Sequence, residues 1–146
     1  MTKTGIYNDT VFLYTDGGCE PNPGLGTWAC LLRCGRITKE LSGYETDSTN
    51  NRMELTAVIE GLKSLDGSFS VRIVTDSKYV INCINGARKW LENGRNAPNK
   101  DLLHALVLQL SRHSVSVEKV TGHSGHEDND YCDGLCTELR ERIQKS

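Results

Sequence analysis

The chain has 146 residues, 37% apolar and 25% charged, and a formal net charge of −2 from 17 basic and 19 acidic side chains. These values describe one ordinary soluble domain, able to build its own core without disulfides or a structural metal. No apolar run approaches the ~18 residues of a membrane span, and a nearly neutral balance argues against holding a nucleic acid by bulk charge alone.

The opening segment Met1–Asp9 has no apolar stretch of the kind an export signal needs. The six cysteines (Cys19, Cys30, Cys34, Cys83, Cys132 and Cys136) are therefore expected as free thiols in a reducing, cytoplasmic setting. Val11–Thr15 reads as a short β-branched and aromatic strand, closed by the turn signal Asp16-Gly17-Gly18. After the loop CEPNPGLG, Trp28–Arg33 and Ile37–Tyr44 read as two strands joined by a Cys34-Gly35-Arg36 hairpin turn. Thr49–Leu65 has helical spacing through Met53, Leu55, Val58, Ile59, Leu62 and Leu65, with Thr49 or Asn50 as its cap. Val71–Thr75 is a fourth strand, and Ser77–Ile84 a helix that gives way to a polar segment around Trp90. Leu102–Leu110 is an apolar helix, Val115–Val120 alternates like a strand, and a last helix runs from Glu127 to Ile143. The order implies an α/β fold: an antiparallel meander, then strands that enter through helical crossovers.

Two strands end alike, at Asp16 and at Asp76, and ligands of α/β sheets sit at the carboxyl ends of strands. Either aspartate alone is explained as a turn residue or helix cap; the matched pair is not. Glu54 tops the stripe Val58, Leu62 and Leu65, so it faces the sheet, where glutamate is rare unless paired or bound to a cation. In GHSGHEDNDYCD, residues 122–133, the acids Glu127, Asp128 and Asp130 suit a first helical turn, whereas Asp133 lies deeper, on one face with Asn129. Four carboxylates without a Ser–His or Cys–His pair point to hard cations, Mg²⁺ or Mn²⁺, which, rather than the protein surface, would neutralise a substrate phosphate.

YTDGGCEPNPG, STNNRMEL, VTDSKYV and GHSGHEDNDYCD resemble, in order and spacing, the motifs of type 1 ribonuclease H, over about Thr10 to Glu141. The resemblance implies the ribonuclease H-like fold, a five-stranded mixed sheet with strands 1–3 antiparallel and strands 4–5 parallel, flanked by helices. It implies an endonuclease that cuts the RNA strand of an RNA–DNA hybrid with two metal ions, leaving a 5′-phosphate and a 3′-hydroxyl. By position, Asp16, Glu54, Asp76 and Asp133 match the metal-binding carboxylates, and His123 matches a histidine that assists proton transfer or product release. Asn22, Asn51 and Lys78 match contacts to the RNA strand, and Thr49 and Asn99 match positions that hold a phosphate of the DNA strand. Residues 10–146 would form the catalytic domain, preceded by an extension, residues 1–9, too short for a separate hybrid-binding domain. No membrane and no obligate protein partner is implied, and the expected state is a monomer.

The sequence also departs from the family. Many relatives have glutamine where Lys78 stands, and those with a basic handle carry a longer Lys- and Trp-rich insertion than Asn85–Asp101. Trp90 matches one handle tryptophan, while Leu103 replaces an aromatic. Three rivals are weighed. A zinc site from Cys30, Cys34, Cys132, Cys136 and His123 fails because Cys30 and Cys34 lie about 13 Å apart along one strand. A non-cutting binding module would be expected to lack some of the four carboxylates, and a DNA nuclease would not need the RNA-contact asparagines. His104, His113 and His126 are expected at the surface or on helix flanks, and Trp28 in sheet packing.

Overall fold

A computed structural model describes residues 10–94, 96–121 and 127–145. Three antiparallel strands come first: β1 (Val11–Cys19), β2 (Gly24–Cys34) and β3 (Ile37–Ser48). They are followed by α1 (Asn50–Lys63), β4 (Ser70–Thr75), α2 (Lys78–Glu92), α3 (Lys100–Arg112), β5 (Ser114–Lys119) and α4 (Glu127–Gln144). The sheet order is β3-β2-β1-β4-β5, with β1–β4 and β4–β5 parallel; the antiparallel meander and the later parallel strands agree with the expected mixed sheet. Gly35, at φ 60°, and Arg36 make the two-residue turn between the paired Cys34 and Ile37.

The two faces of the sheet are covered differently. Val11, Leu13, Cys30, Leu32, Val71 and Ile73 point to one side, where they join Leu55, Val58, Leu62 and Leu65, together with Val80, Cys83, Leu103 and Leu106, in one large core. The other face holds a small cluster: Ala29 and Leu31 of β2 against Cys132 and Cys136 of α4. All six cysteines are free. Cys30 thus belongs to the core opposite the one that takes Cys132 and Cys136.

Three elements differ from their sequence expectation. The first strand does not turn at Asp16 but continues to Cys19, because Asp16, Gly17 and Gly18 pair with Ala29, Trp28 and Thr27 of β2. The second helix runs past Ile84 to Glu92. Gly86 sits in its middle, and a Cβ there would lie 2.5 Å from the Trp90 ring, so the glycine makes room for the indole. His113, expected on a helix flank or surface, does flank α3 but is buried. Its Nδ1 accepts from the Phe69 backbone N–H at 3.1 Å, and its Nε2 lies 3.3 Å from the Leu62 carbonyl. That arrangement assigns the neutral ring with the proton on Nε2, and burial lowers its pKa. Trp28 packs on the sheet as expected: its indole lies over Gly43, where a Cβ would meet the ring at 2.7 Å.

Candidate active site

Parallel pairing sets the first two carboxylates side by side. Val11 is level with Val71 and Tyr14 with Val74, and two residues further along the two chain segments stand Asp16 and Asp76. Glu54 is brought in by a glycine. A Cβ on Gly17 would lie 2.5 Å from the Met53 backbone carbon and oxygen and 2.6 Å from Glu54 N. Only an unsubstituted Cα lets the first turns of α1 lie this close to β1.

Asp133 arrives on α4, whose stripe Asp133, Cys136, Thr137 and Arg140 faces the same place at helical i, i+3, i+4, i+7 spacing. The helix is docked at this end through Asn129, whose Nδ2 donates to the carbonyls of Val74 at 3.2 Å and Thr15 at 3.5 Å. Val74 stands two residues before Asp76 and Thr15 directly before Asp16, so one amide ties the helix to both strands beside their carboxylates.

The four carboxylates meet around a pocket of about 270 Å³, lined also by Gly17, Gly18, Asn50, Cys136, Thr137 and Arg140. Burial, then the charges of Asp133 and Asp76 and a hydrogen bond with Asp133, push Asp16 up to about 8. Burial also raises Glu54, opposed by the hydrogen bond it accepts from Ser77 Oγ. Ser77 is itself buried and caps α2, accepting from Val80 N at 3.1 Å. Its hydroxyl therefore joins the helix start to the Glu54 carboxylate. Among the described residues, no three acidic, histidine or cysteine side chains stand close enough to enclose an ion as they are placed. The donors are nevertheless all oxygen, and their mutual repulsion, legible in Asp16, is what a hard divalent cation relieves. The residues fit such an ion by chemistry and charge. The thiols do not compete: burial pushes Cys30 and Cys136 up to about 12, leaving them protonated and poor ligands.

The remaining sequence-predicted residues fall around this pocket rather than in it. Asn22 is exposed, and its Oδ1 accepts from Asn50 N at 3.1 Å, tying the Pro21-Asn22-Pro23 loop to the start of α1. Asn51 and Lys78 are exposed in the first turns of α1 and α2. Thr49 caps α1 by accepting from Arg52 N at 3.2 Å. Asn99, at φ 65°, precedes α3, and its side chain donates to Tyr79 Oη at 3.0 Å and accepts from Arg52 Nη1 at 3.2 Å. Arg52 also grips Asp101 with both Nη atoms, at 3.0 and 2.7 Å, which holds that carboxyl at about 2. Thus Arg52 connects Thr49 to Asn99, although they are far apart in sequence. His123 lies outside the described residues.

Sequence reasoning missed Asn50, Ser77 and Arg140 at the site. Asn50 was considered as a cap; its Oδ1 instead accepts from Cys19 N at 2.7 Å at the pocket wall. The i, i+3, i+4, i+7 spacing of α4 was the available signal for Arg140.

The RNase H family profile matches residues 8–141. The ribonuclease HI of Neisseria meningitidis is 50% identical over 135 residues, covering 88% of this chain and 93% of its own. The ribonuclease H of Hydrogenovibrio crunogenus is 46% identical over 143 residues, covering 91% and 97%. Among solved structures, a type 1 RNase H with the type 2 active-site motif superposes with a TM-score of 0.80 at 26% identity, covering 92% of this chain and 74% of its own. The N-terminal RNase H domain of a Mycobacterium tuberculosis protein, solved fused to maltose-binding protein, superposes at 0.75. At 21% identity, with 94% and 97% coverage, that second likeness concerns the fold alone.

Proposed function

The chain belongs to the ribonuclease H family, and on that premise we propose that it is an endoribonuclease hydrolysing the RNA strand of RNA–DNA hybrids. The observation that carries the reading is the convergence of Asp16 of β1, Glu54 of α1, Asp133 of α4 and Asp76, just past the end of β4, on one polar pocket. These side chains would hold two Mg²⁺ or Mn²⁺ ions with substrate bound, which supply Lewis acidity at the scissile phosphate and to the attacking water. The products are then a 5′-phosphate and a 3′-hydroxyl.

The chain's own residues have separable tasks. Gly17 lets Glu54 approach Asp16, Ser77 orients the Glu54 carboxylate, and Asn129 fixes α4 so that Asp133 meets Asp16. Asn22, Asn51 and Lys78 flank the pocket on the side of α1 and α2, where they contact the RNA strand and its 2′-hydroxyls. Thr49 and Asn99, joined through Arg52, take a phosphate of the DNA strand. His123 assists proton transfer or product release. The proposed setting is cytoplasmic, and the reading needs no partner beyond the hybrid, with the enzyme acting as a monomer. Among the described residues, no helix is long and apolar enough to cross a membrane.

The test is cleavage of one labelled RNA, alone, paired with RNA and paired with DNA, with and without Mg²⁺, followed by analysis of the product ends. Cutting confined to the DNA-paired strand, metal-dependent and leaving 5′-phosphates, is the expected result. Equal cutting of all three RNAs, or binding of hybrid with no cutting, refutes the reading.

A further inference from the structure

Among the described residues lining the carboxylate pocket, the sole cation is Arg140, two helical turns beyond Asp133 on the same stripe of α4. An arginine next to surplus negative charge ordinarily folds onto it. This one makes no ion pair among the described residues. Its Nη2 donates instead to Thr27 Oγ1 at 3.2 Å, and Thr27 is fully buried on β2, so the guanidinium is pinned to the sheet and away from the carboxylates.

Two further features show that its binding capacity is unspent. Nε is buried with no hydrogen-bond partner among the described residues, and an orphaned buried donor usually marks a missing acceptor. Nη2 also stands over Gly18: a Cβ there would lie 3.7 Å from Nη2 and 3.6 Å from Asn50 Oδ1. The bare glycine leaves a floor between Arg140 and Asn50, next to Asp16 and open to the pocket.

We propose that Arg140 binds a phosphate of the RNA strand adjoining the scissile one, received over Gly18. This rests on the hybrid-hydrolysis reading. The ligand class is a phosphodiester, for which a guanidinium fork of fixed orientation is suited. The pocket needs such a group: the four carboxylates repel every phosphate of the strand, and divalent ions offset that repulsion only at the scissile position. Held by Thr27, Arg140 offsets it one nucleotide away without being neutralised by its own neighbours.

Cleavage of a labelled hybrid across a salt series, with Arg140→Ala, Arg140→Gln and Arg140→Lys beside the parent, tests this. Arg140→Ala is expected to raise KM about tenfold, the loss of one charged hydrogen bond, with kcat within about twofold. The slope of log kcat/KM against log salt should become shallower by about 0.7–0.9, the change for one lost phosphate contact. Arg140→Gln, which keeps a donor for Thr27 and guards against misfolding, should lose the same slope. Arg140→Lys should keep the slope while recovering only part of the KM. An unchanged slope and KM in Arg140→Gln overturns the proposal, as does a fall in kcat alone that tracks a lowered melting temperature. Hybrid binding, read by fluorescence anisotropy over the same salts, separates the two readings. Binding without cutting but with an Arg140-dependent slope rejects hydrolysis and keeps the phosphate contact. Cutting with an Arg140-independent slope does the reverse, and a chain that neither binds nor cuts hybrid loses both.

Discussion

The two faces of the sheet are built on opposite principles. On the α1 side, buried leucines, valines and isoleucines from three strands and three helices form a continuous apolar core. On the α4 side the buried apolar set is Ala29, Leu31, Cys132 and Cys136. There the docking is largely polar: the Asn129 amide on two strand carbonyls, Arg33 paired in bidentate fashion with Asp128, Tyr131 on Glu40, and Arg140 on Thr27. The thick face supplies stability by area removed from water. The thin face spends some of it, holding like charges together at the strand ends. The difference teaches that mutations on the two faces should separate stability from activity.

The largest effect on stability is expected from the thick face. Leu62→Ala, at a fully buried site, should cost about 2–5 kcal/mol, measured as a fall in urea midpoint, with kcat per folded molecule unchanged. Gly17→Ala sits where the faces meet. Its new methyl overlaps the α1 backbone at Met53, so about 1–3 kcal/mol should be lost to the forced shift, together with most of the activity as Glu54 moves from Asp16. Asn129→Ala should cost about 1–3 kcal/mol by leaving strand carbonyls unpaired. Hydrogen exchange should then show α4 opening before α1 does; equal protection of both helices would erase the proposed contrast.

The smallest effect belongs to His113, which pins the thick face. Its folded pKa is lowered from 6.5 by burial, so the unfolded chain takes up a proton that the folded ring refuses. This part of the stability is complete above 6.5 and declines as pH falls below it. Urea midpoints should drop between about pH 7.5 and pH 5.5, and His113→Asn should flatten that difference.

Much of this was readable in the sequence, and the exceptions have physical reasons. Strand composition and helical spacing placed all nine elements of the described residues, even β2, which buries side chains on both faces of the sheet. Asp16-Gly17-Gly18 carried turn chemistry, yet cross-strand pairing with Thr27–Ala29 overrode it. The glycines there serve the approach of α1 and the floor under Arg140, not a turn. Gly86 lies in the segment read as polar and outside the helix, and is instead the seat of Trp90 within α2. The carboxylates were legible because no other role explained Glu54 and Asp133 where they fall. Ser77 and Arg140 were not, since a capping serine and a helical arginine have ordinary uses until their partners, Glu54 and Thr27, are known. The burial of His113 at the flank of α3 was not legible because the groups it bonds, Phe69 and Leu62, are far away in sequence.

The claim that the thin face gives up stability in order to bind cations is tested most directly by thermal unfolding of the parent chain and Asp16→Asn, each in EDTA and in Mg²⁺. Raising a buried carboxyl's pKa favours the folded state only while it stays protonated, and that benefit disappears as pH rises through about 8; the measurement belongs just above it. In EDTA the variant should melt higher than the parent, by an amount worth about 1–2 kcal/mol, since an amide removes one of four crowded charges. Mg²⁺ should then raise the parent's melting temperature and leave the variant's nearly unchanged. Equal melting temperatures in EDTA, or an equal response to Mg²⁺, would contradict the account.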